Sequence, residues 1–263
     1  MQAYIKCVFL DSLNQEYEKC VDDDPIKIMT YRSSHEIQGR FRFFDNEEHL
    51  RGDWKQHARA NIRQKTFLEG ILLKSLDHEH PFPYVDYAVF CTSLAANTSN
   101  HNIPAQQNSN KPLMFRNCRK LPVPQNGPAR LAGTGFYDEL EYILRNEVKP
   151  LPRTPVSKDS VYFLSVFQTD GHIGRLEETW KTWSGADFIL WKCPEKLKLR
   201  RVTFFKSTCD SDIYTFIVLC ECEDGLSMCD MARAFLERLK DRRCGLVGLY
   251  QVERYYIASK PRT

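Results

Sequence analysis

The stretch from residue 160 to residue 258 constrains the fold more than any other. It opens on a run of mostly apolar and β-branched residues, 161–167, and closes on a second, 246–252, continued by Tyr255, Tyr256 and Ile257. Between them Ile173, Leu176, Trp180 and Trp183 recur at helical spacing, as do Met228, Met231, Ala232, Phe235, Leu236 and Leu239. Residues 199–205 and 213–222 read as two strands paired across the turn at 208–211, and Phe188 to Trp191 as a further strand-like piece. The order β-α-β-β-α-β predicts an α+β fold: a ferredoxin-like domain with an antiparallel sheet and both helices on one face.

The N-terminal part mixes the same ingredients. Residues 3–10 read as a strand. Residues 26–31 and 37–43 alternate apolar with polar, and the link at 33–36 suggests a hairpin. A helical pattern runs from about 47 to 76, with a break near 64–66. One stripe is Leu50, Trp54, Ala58 and Ile62, and a second is Leu68, Ile71, Leu72 and Leu76. Pro81 and Pro83 exclude helix before the strand at 84–91. Asn, Gln, Ser and Pro then dominate, so 96–112 reads as a mobile loop. A short helix is expected near 135–146, with Phe136, Leu140, Ile143 and Leu144 on one face, and Pro150, Pro152 and Pro155 stiffen the link that follows. Three parts result: 1–94 with strands and a long amphipathic helix, 95–158 as a mostly irregular linker, and 159–263 as the ferredoxin-like domain.

Charge and cysteine bound the function. A net charge of +3 is too mild to mark a nucleic-acid binder by itself, so any such reading rests on local clusters. The N-terminus has no signal-peptide pattern and no stretch approaches the length of a membrane span. The ten cysteines then read as reduced thiols of a cytoplasmic or nuclear protein. They show no CxxC and no zinc-finger spacing, so no metal is expected.

Two basic clusters stand out. Arg51, Lys55, Arg59 and Arg63 recur every four residues along one helix face, with Lys65 beside them, as a ridge that could follow a phosphate backbone. Lys192, Lys196, Lys198, Arg200, Arg201 and Lys206 form the second, interleaved with Trp191, Phe204 and Phe205, the logic of RNA-binding sheets. The RNP-type run is missing; the ridge also fits a solvated helix face, and the second cluster a core strand with a charged edge that deters edge pairing. His78 and His80 could share a metal on an extended segment, or belong to a polar loop. Gly133-Thr134-Gly135 could cradle an anion ahead of a helix, or be a turn. No nucleophile motif or nucleotide fingerprint occurs, so no catalytic residue and no cofactor are assigned. The reading is a nucleic-acid-binding protein, RNA before DNA, with a protein–protein interaction module as the alternative.

Overall fold

The computed structural model describes residues 28–33, 36–92, 133–145, 153–169, 173–209, 212, 214–242 and 245–258. The strand expected at 3–10 and the loop at 96–112 lie outside these residues.

Nine strands form one antiparallel sheet. In chain order they are β1 (Ile28–Arg32), β2 (Ile37–Phe44), β3 (Phe67–Ser75), β4 (Tyr84–Cys91), β5 (Thr134–Arg145), β6 (Val161–Phe167), β7 (Leu199–Ser207), β8 (Phe216–Cys222) and β9 (Leu246–Ile257). The order is β1-β5-β2-β4-β3-β9-β6-β8-β7, and β7 pairs back onto β5. That last pairing closes an eight-stranded barrel and leaves no free edge between β5 and β7. The helices are α1 (Glu47–Ile62), α2 (Ile173–Glu178), α3 (Trp180–Trp183), α4 (Ala186–Lys192) and α5 (Cys229–Asp241). No described helix is long and apolar enough to cross a membrane.

The ferredoxin-like α+β expectation is therefore corrected. Residues 161–257 contribute the neighbours β9-β6-β8-β7, but these do not end as a free-standing sheet. β9 pairs with β3 and β7 with β5, so strands from the N-terminal part complete the ring. A closed barrel buries its lumen face as well as its outer face. This explains why β6 and β8 are buried at every position, which no one-sided sheet requires.

Three local readings change with it. The helix expected over 47–76 ends at Ile62, and 67–75 is β3. Leu68, Ile71, Leu72 and Leu76 mimic helical spacing because both faces of β3 are packed. Ile71 and Leu73 belong to the lumen cluster, while Leu72 packs with Leu50 of α1. The helix expected near 135–146 is β5, whose bulge at Glu139/Glu141 shifts the alternation of inward and outward residues. Residues 188–191 lie in α4 rather than in a strand. The link at 33–36 makes no hairpin either: β1 and β2 run in the same direction, in line, both antiparallel to β5.

Two apolar layers hold the barrel. The lumen is filled by Phe41, Phe43, Ile71, Leu73, Val85, Tyr87, Tyr137, Tyr162, Leu164, Phe205, Ile217, Leu219 and Tyr250. Outside, α2 to α5 cover β6 to β9. Ala232, Phe235, Leu236 and Leu239 of α5 face inward, Phe235 meets Phe163 edge-on at 5.5 Å, and Trp180 stacks on Phe204 at 4.6 Å. α1 covers β2, β3 and β4 through Leu50, Trp54, Ala58 and Ile62, the stripe expected from spacing. This helix roofs the site described next.

Candidate active site

Asp86 lies in the middle of β4, on the outer face under α1, and is 0% exposed. A carboxylate there demands partners. Trp54 Nε1–H donates to its Oδ1 at 3.1 Å, and the Tyr256 hydroxyl donates to the same oxygen at 3.0 Å. Its Oδ2 has no hydrogen-bond partner among the described residues. The polar group continues outward: Asn61 Nδ2–H donates to Tyr256 Oη at 3.1 Å, and Arg40 Nη2–H donates to Asn61 Oδ1 at 2.6 Å. The Arg40 guanidinium also lies over the rings of Phe90, at 5.5 Å, and Phe136, at 5.9 Å.

Burial pushes the Asp86 carboxyl above its ordinary range, and outweighs the opposing pull of Arg40 and of the Tyr256 and Trp54 hydrogen bonds. Burial likewise depresses the Arg40 guanidinium, with Asp86 acting against it. Because Oδ1 accepts two donors, the proton of the neutral acid belongs on Oδ2. Trp54, Tyr256 and Arg40 are half-buried, so the group lies close beneath the surface.

A family model described as "Domain of unknown function (DUF7153)" matches residues 67–252, well over half of the chain. The chain belongs to this family. An uncharacterized Caenorhabditis elegans protein is 25% identical over 122 residues, a match covering 44% of this chain and 27% of that protein. The chain thus spans well under half the length of this relative. Among solved structures, an anthrone oxidase-like protein is 10% identical with a TM-score of 0.48, the match covering 88% of this chain and 98% of that one. A chlorite dismutase variant from Candidatus Nitrospira defluvii is 13% identical with a TM-score of 0.36, covering 84% and 92%. At these levels neither likeness speaks to substrate or reaction.

In this DUF7153 chain the basic clusters do not form one surface, and the nucleic-acid reading is corrected on that ground. α1 lies over β3 and β4, half a circuit of the barrel from β7 and β8. On α1, Lys55 and Arg59 are exposed, as are Arg63 and Lys65 just beyond it, while the Arg51 side chain lies outside the description. In the second cluster Lys192 and Lys196 are exposed, but Lys198 pairs with Asp224 at 2.6 Å and Arg200 with Glu221 at 2.9 Å. Arg201 points into the lumen and is 3% exposed, and Phe204 and Phe205 are wholly buried. Of the three aromatics only Trp191 is exposed, and it lies on α4 rather than on a sheet face, so the expected stacking sheet does not form.

Other candidates also resolve. His78 is exposed, while His80 is buried and its Nδ1 accepts Phe82 N–H at 3.2 Å beside the Tyr250 hydroxyl at 3.0 Å, so the two imidazoles do not converge. Gly133 to Gly135 lead into β5, not a helix.

Sequence reasoning missed a second polar group, inside the lumen. Arg153 forks onto both oxygens of Glu139, its backbone N–H donates to Glu69 Oε1 at 2.5 Å, and its guanidinium lies 5.7 Å from the Tyr142 ring centroid. Arg201 and Glu221 are nearby, and burial raises the Glu69 and Glu221 carboxyls against these cations. Burial also pushes Tyr87 up to about 12. A cavity of about 10 Å³ lies among Tyr87, Arg153, Tyr162, Arg201 and Glu221. That is room for about one water, so it admits no organic substrate. The signal was a carboxylate within an apolar strand run for Glu69, Asp86 and Glu221, whereas Glu139 lies among other acidic residues and gave none.

Proposed function

We propose that this chain is an enzyme that moves a proton on a small molecule, with Asp86 as its acid–base group. One observation carries the reading: a fully buried carboxyl, held above its ordinary range, has one oxygen saturated by Trp54 and Tyr256 and the other without a hydrogen-bond partner among the described residues. A carboxyl kept neutral near pH 7 by its surroundings is a general acid, and its conjugate base is then strong enough to take a proton back. Arg40, held by Asn61, supplies positive charge for an anion developing beside it. The buried free thiols Cys193, Cys220 and Cys222 fit a reducing compartment such as the cytosol or nucleus.

The test needs no prior substrate. The wild-type protein and Asp86→Asn, which keeps shape and accepting oxygen, are incubated with a metabolite extract and followed by untargeted mass spectrometry. At least one compound is expected to change with wild type and not with Asp86→Asn. Identical profiles from two folded proteins would refute the reading.

A further inference from the structure

We propose that the slot holding the Tyr256 ring is a binding site for a hydroxylated aromatic molecule, and that the end of β9 is the flap that admits it; the proposal rests on Asp86 being the reactive group. Tyr256 is itself a phenol, and its seat meets every part of one. The hydroxyl donates to Asp86 Oδ1 at 3.0 Å and accepts from Asn61 Nδ2–H at 3.1 Å. The ring stacks on Phe67, centroids 5.3 Å apart and planes within 13°, and meets Trp54 edge-on at 5.9 Å. Gly70 is its floor: a Cβ there would stand 2.3 Å from Tyr256 Cζ. Stacking ring, edge ring, flat floor, donor and acceptor together recognise a hydroxyarene in general.

The strand that delivers Tyr256 is poorly secured. Up to Gln251, β9 pairs with both β3 and β6; from Val252 to Ile257 it pairs, among the described residues, with β3 alone. The change coincides with a bulge, because Leu72 and Leu73 face Arg254 and Val252 and leave Glu253 unpaired. Glu253, Arg254, Tyr255 and Ile257 are exposed, whereas Tyr256 turns inward and Ala258 packs beside it. A ligand that reproduces the contacts of Tyr256 therefore competes with one side chain on a singly paired strand end. Asp86 Oδ2, buried and without a partner, selects further. Once Tyr256 has left, a ligand with a second oxygen beside the hydroxyl can engage both carboxyl oxygens, so catechol should bind better than phenol.

The test uses the full chain with catechol, phenol, 2-naphthol and naphthalene as probes. Binding is read from the Trp54 indole N–H resonance, and flap opening from hydrogen exchange of amides 252–257. Catechol and 2-naphthol are expected to shift the resonance and speed exchange in the wild type. Catechol should bind several-fold more tightly than phenol, and naphthalene should not bind. Tyr256→Phe, which keeps the ring and drops the competing hydroxyl, should bind catechol about tenfold more tightly, and Asp86→Leu, which removes both oxygens, more weakly. Absence of binding to folded wild type and Tyr256→Phe overturns the proposal, as does naphthalene binding as well as 2-naphthol. If the metabolite experiment then still shows Asp86-dependent turnover, the acid–base reading stands and only the hydroxyarene site has failed.

Discussion

The Arg153 guanidinium and the Glu139 carboxylate meet as a two-pronged ion pair inside the barrel, with side chains only 4% and 1% exposed. The pair ties the segment entering β6 to β5, with Tyr87 and Tyr162 beside Arg153 in the lumen. Taking both charges out of water offsets much of their attraction, but leaving one charge without the other has nothing to compensate it. Arg153→Met and Glu139→Gln are each expected to lower stability by about 3–5 kcal/mol. The double replacement Arg153→Met with Glu139→Gln should lose much less than the sum. Urea unfolding of the four proteins measures this, and additive losses would show that the pair is not coupled.

Asp86 gives a pH dependence with a definite sign. Its folded-state pKa is raised from the ordinary 3.8, so the folded chain keeps a proton that the unfolded chain releases. The contribution of that proton is fully present below the unfolded pKa and is lost as pH rises through the folded pKa. Glu69 and Glu221 are raised too and add the same trend, so the wild-type curve alone does not isolate Asp86. The difference does. Asp86→Asn cannot ionise, and its melting temperature relative to wild type should become more favourable between pH 4 and pH 7. A difference that stays flat, or falls, would contradict a raised carboxyl.

Gly70 sets the height of Tyr256 over β3. Gly70→Ala forces the ring up and stretches the hydrogen bond to Asp86, an overpacking expected to cost about 1–3 kcal/mol. The Trp54 indole resonance should move as well, since Trp54 shares Asp86 Oδ1. Loss of stability with an unmoved indole would place the strain elsewhere.

The amphipathic helices were legible because one stripe of each faces the barrel: Leu50, Trp54, Ala58 and Ile62 on α1, and Phe235, Leu236 and Leu239 on α5. The barrel was not. Spacing cannot separate a doubly buried strand from a helix, and β3 and β5 were lost this way, the second because its bulge breaks the two-residue alternation. Closure itself depends on the β5–β7 pairing, between residues as far apart as Tyr137 and Ser207, which no local pattern reports. Asp86 sat in plain view as the single charge in the run 84–91, but its partners Trp54 and Tyr256 are distant in sequence: Tyr256 reaches it through β3, which pairs with both β4 and β9, and Trp54 through the packing of α1 over these strands.

Arg63 and Arg201 were both read from sequence as part of a basic surface, and the fold separates them. Arg63 is exposed at the end of α1, where removing a single charge changes stability by no more than about 0.5 kcal/mol. Arg201 is 3% exposed, beside Glu221 and facing Arg153 across the lumen. Its removal deprives the buried carboxylates of a cation and leaves a gap next to Tyr162 and Thr203. Repulsion from Arg153 and the presence of Arg200 on Glu221 soften the loss, so Arg201→Ala should cost about 2–4 kcal/mol, toward the lower end for a broken buried pair. Guanidinium chloride unfolding of Arg63→Ala and Arg201→Ala decides the matter. Equal effects would mean that Arg201 is not the lumen residue its burial makes it.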